Sequence, residues 1–307
     1  MAPTPQRIAG KWGVHDRETR RGPRPLPLAL GIPLGPAQQT GEEDAKGDRP
    51  VFEELFAGDA GLTKAVSRIG GPKIRVRTPH DARYGQDITQ DDEFLQMMEA
   101  EAPSWRHMAP PCRTFTKARR TDEHGTVKAL RSKERPEGFG DDQTVEANTI
   151  TDRCVLAEKQ LDEGKWFSME NPEPSLIWEL KSVRRLRKRP EVRFVGFDQC
   201  AYGGPFKKST GVLTNCPWLF HLQRCGDVPR HAHTTLEGRV WSYKTEQEVW
   251  LTAEAAEYPT GMCEAWAKGW IDWLRDQEAT PQQPRYKKVG RFQNKLIREE
   301  LPQLAGE

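Results

Sequence analysis

Short apolar segments alternate with amphipathic segments between residues 51 and 275, and this alternation predicts an α/β layered fold. The predicted strands lie near residues 51–57, 73–77, 104–108, 165–169 and 193–198. The predicted helices lie near residues 61–69, 91–100, 144–163 and 261–275. Because strands and helices alternate along the chain, we expect parallel strands with helices on the faces of the sheet.

The last predicted helix carries an aromatic stripe. Cys263, Trp266, Trp270 and Trp273 follow one another at spacings of three and four, which places them on one helical face. Such a stripe is more typical of core packing than of a ligand site. Residues 260–275 are therefore predicted to form a core helix that closes the domain.

Both ends of the chain differ in composition from the middle. Eight of the 24 prolines fall within the first 50 residues, and residues 1–49 are predicted to be disordered. Residues 276–307 are predicted to form a polar and then basic tail, with six basic residues between 285 and 298.

Composition favours a soluble globular protein. Charged residues make up 30% of the chain and hydrophobic residues 36%, and no apolar run approaches the ~20 residues of a membrane span. We therefore expect no membrane partner, and we expect a monomer. The six cysteines show no small-domain disulfide framework, which indicates reduced thiols in the nucleus or the cytosol. The net charge of +2 argues neither for nor against nucleic acid.

The stretch "FEELFAGDAGLTKAV" predicts a strand, a glycine-containing turn and a helix start. Gly58 and Gly61 permit unusual dihedrals and a close backbone approach. Asp81 follows 20 residues after Gly61, a distance at which an acidic residue can accept hydrogen bonds from ribose hydroxyls. Asp87 is positioned to contact an adenine amino group. Together they predict a site for an adenosine-containing cofactor, although two aspartates that only stabilise turns are an alternative interpretation.

The stretch "MAPPCRTFTKAR" places a cysteine on a stiff loop. Two prolines precede Cys112 and prevent helical continuation, and basic residues follow it. Positive charge favours a thiolate, so we expect the pKa of Cys112 to be lowered. The basic residues are also candidates for nucleic-acid contact: Arg113, Lys117, Arg119 and Arg120.

A carboxylate follows in the stretch "KWFSMENPEPSLIW". The predicted strand near 165–169 delivers Glu170 and Asn171 into a turn that Pro172 fixes. A carboxyl group at the carboxyl end of a strand is well placed for proton transfer. The alternative interpretation of Glu170 is a turn residue before the next helix.

The order of "LFAGDAG", "PPCRTF" and "MENP" resembles that of the cytosine-5 DNA methyltransferases, whose patterns read F-x-G-x-G-G, P-C-Q-x-F-S and E-N-V. The resemblance covers roughly residues 51–275. More closely, the chain is similar to divergent methyltransferase-like proteins encoded by mobile elements, including those of dinoflagellates. The resemblance implies an α/β, Rossmann-like S-adenosylmethionine-dependent methyltransferase fold with a small insert region, and it implies DNA as the partner. It also implies a nuclear location, or a cytoplasmic one if the gene comes from a phage or bacterium.

The resemblance also implies roles for individual residues. Cys112 would add to carbon 6 of cytosine, Glu170 would hold or protonate ring nitrogen 3, and Asn171 would shape the turn. The positions that match cofactor contacts are Phe56, Ala57, Gly58, Gly61, Asp81, Asp87, Ile88 and Pro111. The implied domains are a catalytic core at 50–198 and a recognition-like region at 199–259.

Departures from the family pattern keep two alternatives open. Ala60 stands at a glycine position, Arg113 replaces a glutamine, and Met262 stands where an asparagine is expected. The family's Q-x-R-x-R pattern is missing, and Lys207 and Lys208, in the nearest stretch, are the candidates for cations that contact the nucleic-acid substrate. These changes favour a non-catalytic nucleic-acid-binding module. An amino-group DNA methyltransferase is the second alternative, but its loop needs a polar residue and an aromatic ring where this chain has Ala109 and Cys112.

Cysteines and histidines cluster in the stretch "NCPWLFHLQRCGDVPRHAHTTLEG". Thiols and imidazoles suit tetrahedral zinc, and Cys225, His231 and His233 form the tightest group. Cys216 or His221 would complete the set, and we take Cys216 as the fourth ligand. A hydrogen-bonded loop with incidental histidines is the alternative. A second basic stretch, at 181–193, is interpreted either as a phosphate-contacting surface near the substrate cleft or as a solvated helix face.

Overall fold

The computed structural model describes residues 49–116, 130–242 and 246–279. Within these ranges, six strands form one sheet and two form a separate hairpin. The strands of the sheet are β1 (Val51–Leu55), β2 (Arg75–Val76), β3 (Trp105–Met108), β4 (Trp166–Pro172), β5 (Arg193–Asp198) and β6 (Ser209–Thr214). The hairpin is formed by β7 (Arg239–Ser242) and β8 (Gln247–Trp250).

The described helices connect these strands and follow them. They are α1 (Gly61–Gly70), α2 (Asp91–Glu99), α3 (Asp142–Arg153), α4 (Leu156–Asp162), α5 (Lys181–Arg187), α6 (Leu251–Glu254) and α7 (Thr260–Ala279). The helix predicted at 144–163 is two helices, because the backbone tightens to hydrogen bonds three residues apart at Cys154 and Val155. Among the described residues, no helix combines the length and the apolar character needed to cross a membrane.

The sheet has the strand order β2-β1-β3-β4-β6-β5. Strands β1 to β4 are mutually parallel, and β6 runs antiparallel to both of its neighbours, β4 and β5. Crossover helices link parallel strands, as the alternating pattern predicts. The predicted α/β class with a Rossmann-like sheet is confirmed.

Helices cover both faces of the sheet and create two apolar layers. On one face, α1 packs against α7, whose Trp270 is buried against Phe52 and Trp105 and whose Trp266 is buried against Phe197. The predicted aromatic core helix is therefore present. On the other face, residues of α4 and α5 pack against Leu55, Met108 and Met169. Strands β1, β3 and β4 thus contribute to both layers.

Strand β6 lies inside the range that the prediction assigned to a recognition-like region. The prediction ended the catalytic core at residue 198 and assigned 199–259 to a recognition-like region. The sheet instead takes Ser209–Thr214 from that range and places it between β4 and β5. The other described residues of the range, which include the β7–β8 hairpin, lie outside the six-stranded sheet. Residues 1–48 of the predicted disordered segment and residues 280–307 of the predicted tail lie outside the described residues. The predicted start of the tail at residue 276 is wrong, because α7 continues to Ala279.

The basic stretch at 181–193 contains α5. Val183 and Leu186 of this helix are buried, and α5 packs against α3. Arg185 forms an ion pair with Glu158 of α4, and Arg189 pairs with Asp162. These pairs favour the solvated helix face over the phosphate-contacting surface.

Candidate functional site

Three strand ends meet at one edge of the sheet. The register pairs Leu55 of β1 with Met108 of β3, and Met108 with Met169 of β4. The residues that follow these positions therefore lie side by side. This edge carries the glycine turn, the Pro-Pro-Cys loop and the Glu-Asn-Pro segment.

A side-chain hydrogen bond joins the cysteine loop to β4. The Asn171 side-chain amide donates to the Pro110 carbonyl at 2.8 Å, and Asn171 is only 1% exposed. The loop then turns back on itself, because the backbone amide of Phe115 donates to the Cys112 carbonyl. Cys112 is half-buried and Pro111 is exposed. The structure therefore brings Asn171 and the cysteine loop together.

The segment after Cys112 is anchored at two buried residues. The guanidinium of Arg131 donates to the Thr114 hydroxyl and stacks over the Phe115 ring, 3.8 Å from its centroid. The Leu176 backbone amide donates to the Phe115 carbonyl. Cys112 therefore sits on a loop that is fixed on both sides.

Glu170 is a buried carboxyl group close to the cysteine. It is 5% exposed, and its Oε2 accepts a hydrogen bond from the Tyr258 hydroxyl at 2.9 Å. Burial raises the pKa of Glu170, while Lys208 and the Tyr258 hydrogen bond oppose that rise. The other oxygen, Oε1, is buried with no hydrogen-bond partner among the described residues. A buried carboxyl group with one unused oxygen can bind a polar substrate group.

A continuous chain of hydrogen bonds supports Glu170 from behind. Trp105 Nε1 donates to Ser168 Oγ, which lies 2.8 Å from His107 Nδ1, and His107 Nε2 lies 3.1 Å from the Tyr258 hydroxyl. The Tyr258 hydroxyl donates to Glu170, so it accepts from His107 Nε2–H, and Nδ1 accepts from Ser168. Burial lowers the pKa of His107 to about 3, which fits this neutral tautomer.

The predicted lowering of the Cys112 pKa is wrong. Burial raises the pKa of this thiol above its ordinary value of 9.0, the nearby Lys208 opposes the rise, and Glu170 adds to it. The loop withdraws the sulfur from water, and this withdrawal outweighs the nearby positive charge. Lys208 lowers the pKa of both Cys112 and Glu170, and Glu170 raises the pKa of Cys112, so the three groups share one environment.

The glycine turn adopts left-handed backbone conformations at three positions. The φ angles are +59° at Phe56, +54° at Gly58 and +55° at Ala60. Only glycine adopts this region without steric cost, so Phe56 and Ala60 are strained. The Phe56 and Ala57 amides both donate to the His80 carbonyl, which ties the turn to the segment after β2.

The buried carboxyl group of Glu54 accepts hydrogen bonds at the N-terminus of α1. Glu54 Oε2 accepts from the Thr63 backbone amide and from the Thr63 hydroxyl. Burial raises the pKa of Glu54 to about 7, although the Thr63 hydrogen bonds oppose the rise. Sequence reasoning missed Glu54, whose place beside the glycine turn in "FEELFAG" was the available signal.

Gly61 serves helix packing. A Cβ built at Gly61 would lie 3.2 Å from the Cys263 Sγ on α7. The glycine therefore lets α1 and α7 approach closely. This contact accounts for Gly61 without a ligand.

The predicted cofactor aspartates are part of the scaffold of this edge. Asp81 Oδ2 accepts from the Gly58 backbone amide at 2.9 Å, so Asp81 holds the glycine turn. Asp87 accepts from the backbone amide and hydroxyl of Thr89, and these hydrogen bonds lower its pKa. Ile88 is buried in the apolar layer. Asp81 therefore lies at the predicted edge, whereas Asp87 stabilises a turn.

The candidate nucleic-acid-binding cations are distributed unequally. Lys208 Nζ donates to the Ala255 carbonyl, and its charge lowers the pKa of Cys112 and of Glu170. Lys207 is exposed, and its charge lowers the pKa of Asp198. Arg113 is exposed beside Cys112. The remaining predicted cations, Lys117, Arg119 and Arg120, lie outside the described residues.

The metal-ligand prediction needs one correction. Cys216 is fully buried among aromatic residues, and its thiol donates to the Phe167 carbonyl at 3.2 Å, so it does not join the predicted ligands. The residue that joins Cys225, His231 and His233 is Cys200. Sequence reasoning missed Cys200 because it lies 25 residues before Cys225, on the far side of β6.

Comparison with known proteins finds distant structural likeness. No family model matches the chain, and no curated protein matches it in sequence. The Entamoeba histolytica methyltransferase EhMeth aligns over 63% of this chain and 59% of its own length, at 12% identity and a TM-score of 0.33. A mutant of Spodoptera frugiperda DNMT2 aligns over 61% of this chain and 58% of its own, at 17% identity and a TM-score of 0.32. The chain thus spans less than three fifths of each of these structures, and matches this distant do not assign a family.

Proposed function

We propose that the protein is an S-adenosylmethionine-dependent methyltransferase that modifies carbon 5 of cytosine in DNA through a covalent Cys112 adduct. The observation that carries the proposal is the shared environment of Cys112, Glu170 and Lys208, held by the bond from Asn171 to Pro110. A sulfur nucleophile beside a buried proton donor is the arrangement that this chemistry needs.

The residues at the glycine turn fit the cofactor. Asp81 lies at the carboxyl edge of the sheet, close enough to Glu54 to raise its pKa. Carboxyl groups suit the ribose hydroxyls and the two cationic groups of S-adenosylmethionine. Asp81 and the Phe56–Gly58 turn would hold the cofactor, which supplies an electrophilic methyl group when bound.

The side chains of this protein would carry out the chemistry on the cytosine ring. The Cys112 thiol first loses its proton to water or hydroxide, and the thiolate sulfur then forms a bond to carbon 6 as the carbon 5–carbon 6 double bond opens. Glu170, whose raised pKa keeps a proton available, donates that proton to ring nitrogen 3, and carbon 5 becomes nucleophilic. Once carbon 5 is methylated, loss of its proton to water or hydroxide restores the carbon 5–carbon 6 double bond, the sulfur leaves as a thiolate, and ring nitrogen 3 returns its proton to Glu170. In a duplex, the cytosine must first leave the stack, at a cost of a few kcal/mol.

A trapping experiment tests the proposal. A DNA duplex that carries 5-fluorocytosine should form a denaturation-resistant adduct with wild-type protein and S-adenosylmethionine, because fluorine blocks loss of the carbon 5 substituent. Cys112→Ala should form none, and Cys154→Ala, which changes a buried cysteine of the α3–α4 break, should still form it. Methylation that survives Cys112→Ala would support an amino-group methyltransferase instead.

One observation favours a non-catalytic nucleic-acid-binding module as the second candidate. Burial raises the pKa of Cys112, so little thiolate forms near neutral pH. DNA binding without an adduct or methyl transfer over a broad pH range would establish this alternative.

A further inference from the structure

We infer that Cys200, Cys225, His231 and His233 form a structural zinc site. Their ligand atoms all lie within 4.8 Å of one another. Two thiols and two imidazoles are a donor set that tetrahedral zinc uses in structural sites. The site is separate from the Cys112 and Glu170 chemistry.

Two of the six distances between donor atoms match the edges of a tetrahedral centre. His231 Nε2 and His233 Nε2 lie 3.1 Å apart, and Cys225 Sγ lies 3.5 Å from His233 Nε2. Bonds of about 2.0–2.1 Å to nitrogen and about 2.3 Å to sulfur place the edges of a tetrahedron at about 3.3 Å and about 3.6 Å. Cys225, His231 and His233 are thus spaced as they would be around one ion, and the Cys200 sulfur lies within 4.8 Å of all three donor atoms.

The orientation of His231 is a second, independent observation. Its Nδ1 lies 2.8 Å from the Pro229 carbonyl, and a carbonyl only accepts, so Nδ1 carries the hydrogen. The lone pair therefore lies on Nε2, which points at His233. A zinc-binding histidine usually donates its other ring N–H to a carbonyl or carboxylate in this way.

The site connects two segments around β6. Cys200 is buried in the helical turn Gln199–Tyr202 after β5, and Cys225 begins the turn Cys225–Asp227 after β6. The Cys225 backbone amide donates to Asp198, which also accepts from the Ser209 hydroxyl. A metal here would fix the loop around Pro205, which accepts from the Thr234 amide and leads to Lys208.

Metal analysis of the purified full chain under reducing conditions tests the inference. We expect about one zinc per chain, and we expect cobalt to replace it with the visible bands and thiolate charge-transfer absorption of a tetrahedral thiolate site. Cys225→Ser should lose the metal. The matched control Cys216→Ala removes the thiol that lies elsewhere and should keep it.

A second variant covers the case in which Cys225→Ser fails to fold. Cys225→His keeps a ligand, so it should retain metal but show weaker thiolate-to-cobalt absorption. In wild-type protein, a chelator should speed tryptic cleavage after the exposed Arg230 by several-fold. A metal-free wild-type chain that takes up neither zinc nor cobalt would overturn the inference, as would metal binding lost in Cys216→Ala but kept in Cys225→Ser.

Discussion

The Asn171 side chain, on one strand of the sheet, donates its amide hydrogen to the Pro110 carbonyl two residues before Cys112. This bond connects the strand that carries the candidate acid to the loop that carries the candidate nucleophile. Reacting groups held by a common support need little rearrangement before reaction. The bond is therefore a means of fixing the distance between Cys112 and Glu170.

Replacing Asn171 with alanine should impair catalysis through this loop. Loss of a buried hydrogen bond costs about 1–3 kcal/mol, so we expect adduct formation to slow by about 10- to 100-fold. Asn215→Ala is the control, because Asn215 bonds the backbone at Lys165 and Phe167 at the other end of β4. Equal rates of adduct formation in the two variants would show that the Asn171 bond has no special role.

Removing the Tyr258 hydroxyl should change the proton affinity of Glu170. The Tyr258 hydrogen bond lowers the pKa of Glu170 against the effect of burial, so Tyr258→Phe should raise that pKa further. The alkaline limb of the adduct-formation profile that reports Glu170 should move to higher pH. Tyr202→Phe, which removes a hydroxyl that binds the Gln223 amide, should leave the profile unchanged. If Tyr258→Phe leaves the pH profile unaltered, proton transfer by Glu170 does not limit the rate of adduct formation.

Lys208 should assist the Cys112 thiol. The charge of Lys208 lowers the thiol pKa and so opposes the effect of burial. Lys208→Met should therefore raise the thiol pKa, and adduct formation near neutral pH should slow by about tenfold for every increase of one in that pKa. The rate should recover as the pH rises. Lys207→Met changes the neighbouring exposed cation and should have little effect on trapping at saturating DNA. If both variants lose the same activity at every pH, the lysines act on DNA binding instead.

Glu54 should make stability depend on pH. Its pKa is about 7 in the folded protein, against 4.5 for an ordinary exposed glutamate, so folding favours the protonated form. The stability that the protein gains by holding the Glu54 proton more tightly in the folded state is complete below pH 4.5 and is lost as the pH rises through 7. Glu54→Gln should therefore be on the order of 3 kcal/mol more stable than wild type above that pH and similar to it in acid.

Urea unfolding of Glu54→Gln and wild type across this range measures the difference. Glu99→Gln, on the exposed face of α2, is the control and should follow wild type. A constant offset between Glu54→Gln and wild type would contradict the titration.

Replacing Ala60 with glycine should stabilise the protein. Its φ of +55° costs an L-residue about 1 kcal/mol that glycine does not lose, so Ala60→Gly should raise the free energy of unfolding by about that amount. Ala65→Gly, in the middle of α1, should lower it by about 1 kcal/mol or more. Chemical denaturation of both variants measures these opposite changes in the free energy of unfolding. A lower free energy of unfolding in Ala60→Gly would show that the backbone at Ala60 is not strained.

The local patterns predicted β1 to β5 and the long aromatic helix because each is a buried run or an amphipathic stripe. They also placed Cys112 and Glu170 on neighbouring strand ends, since parallel strands share one carboxyl edge. The same patterns missed β6, whose "STGVLT" run is short and follows a loop interpreted as a substrate contact. Strand order across the sheet is a tertiary property that a local pattern does not encode.

Two further properties of the site were missed for the same reason. Tyr258 bonds Glu170 across 88 residues of sequence, and nothing in "AEYPTG" marks it as a partner of a carboxyl group. The pKa of Cys112 depends on how far the loop withdraws the sulfur from water, which the count of neighbouring arginines does not reveal. Long-range contacts and burial decide both properties.

The position of β6 has a consequence for the order of assembly during synthesis. Strands β4 and β5 both leave the ribosome before β6, yet neither pairs with the other in the finished sheet. A nascent chain that ends before residue 209 exposes an unpaired β4 edge, at which another chain can add a strand. We therefore expect nascent chains of that length to need protection by chaperones, and the sheet to close only when the reversed strand enters the gap.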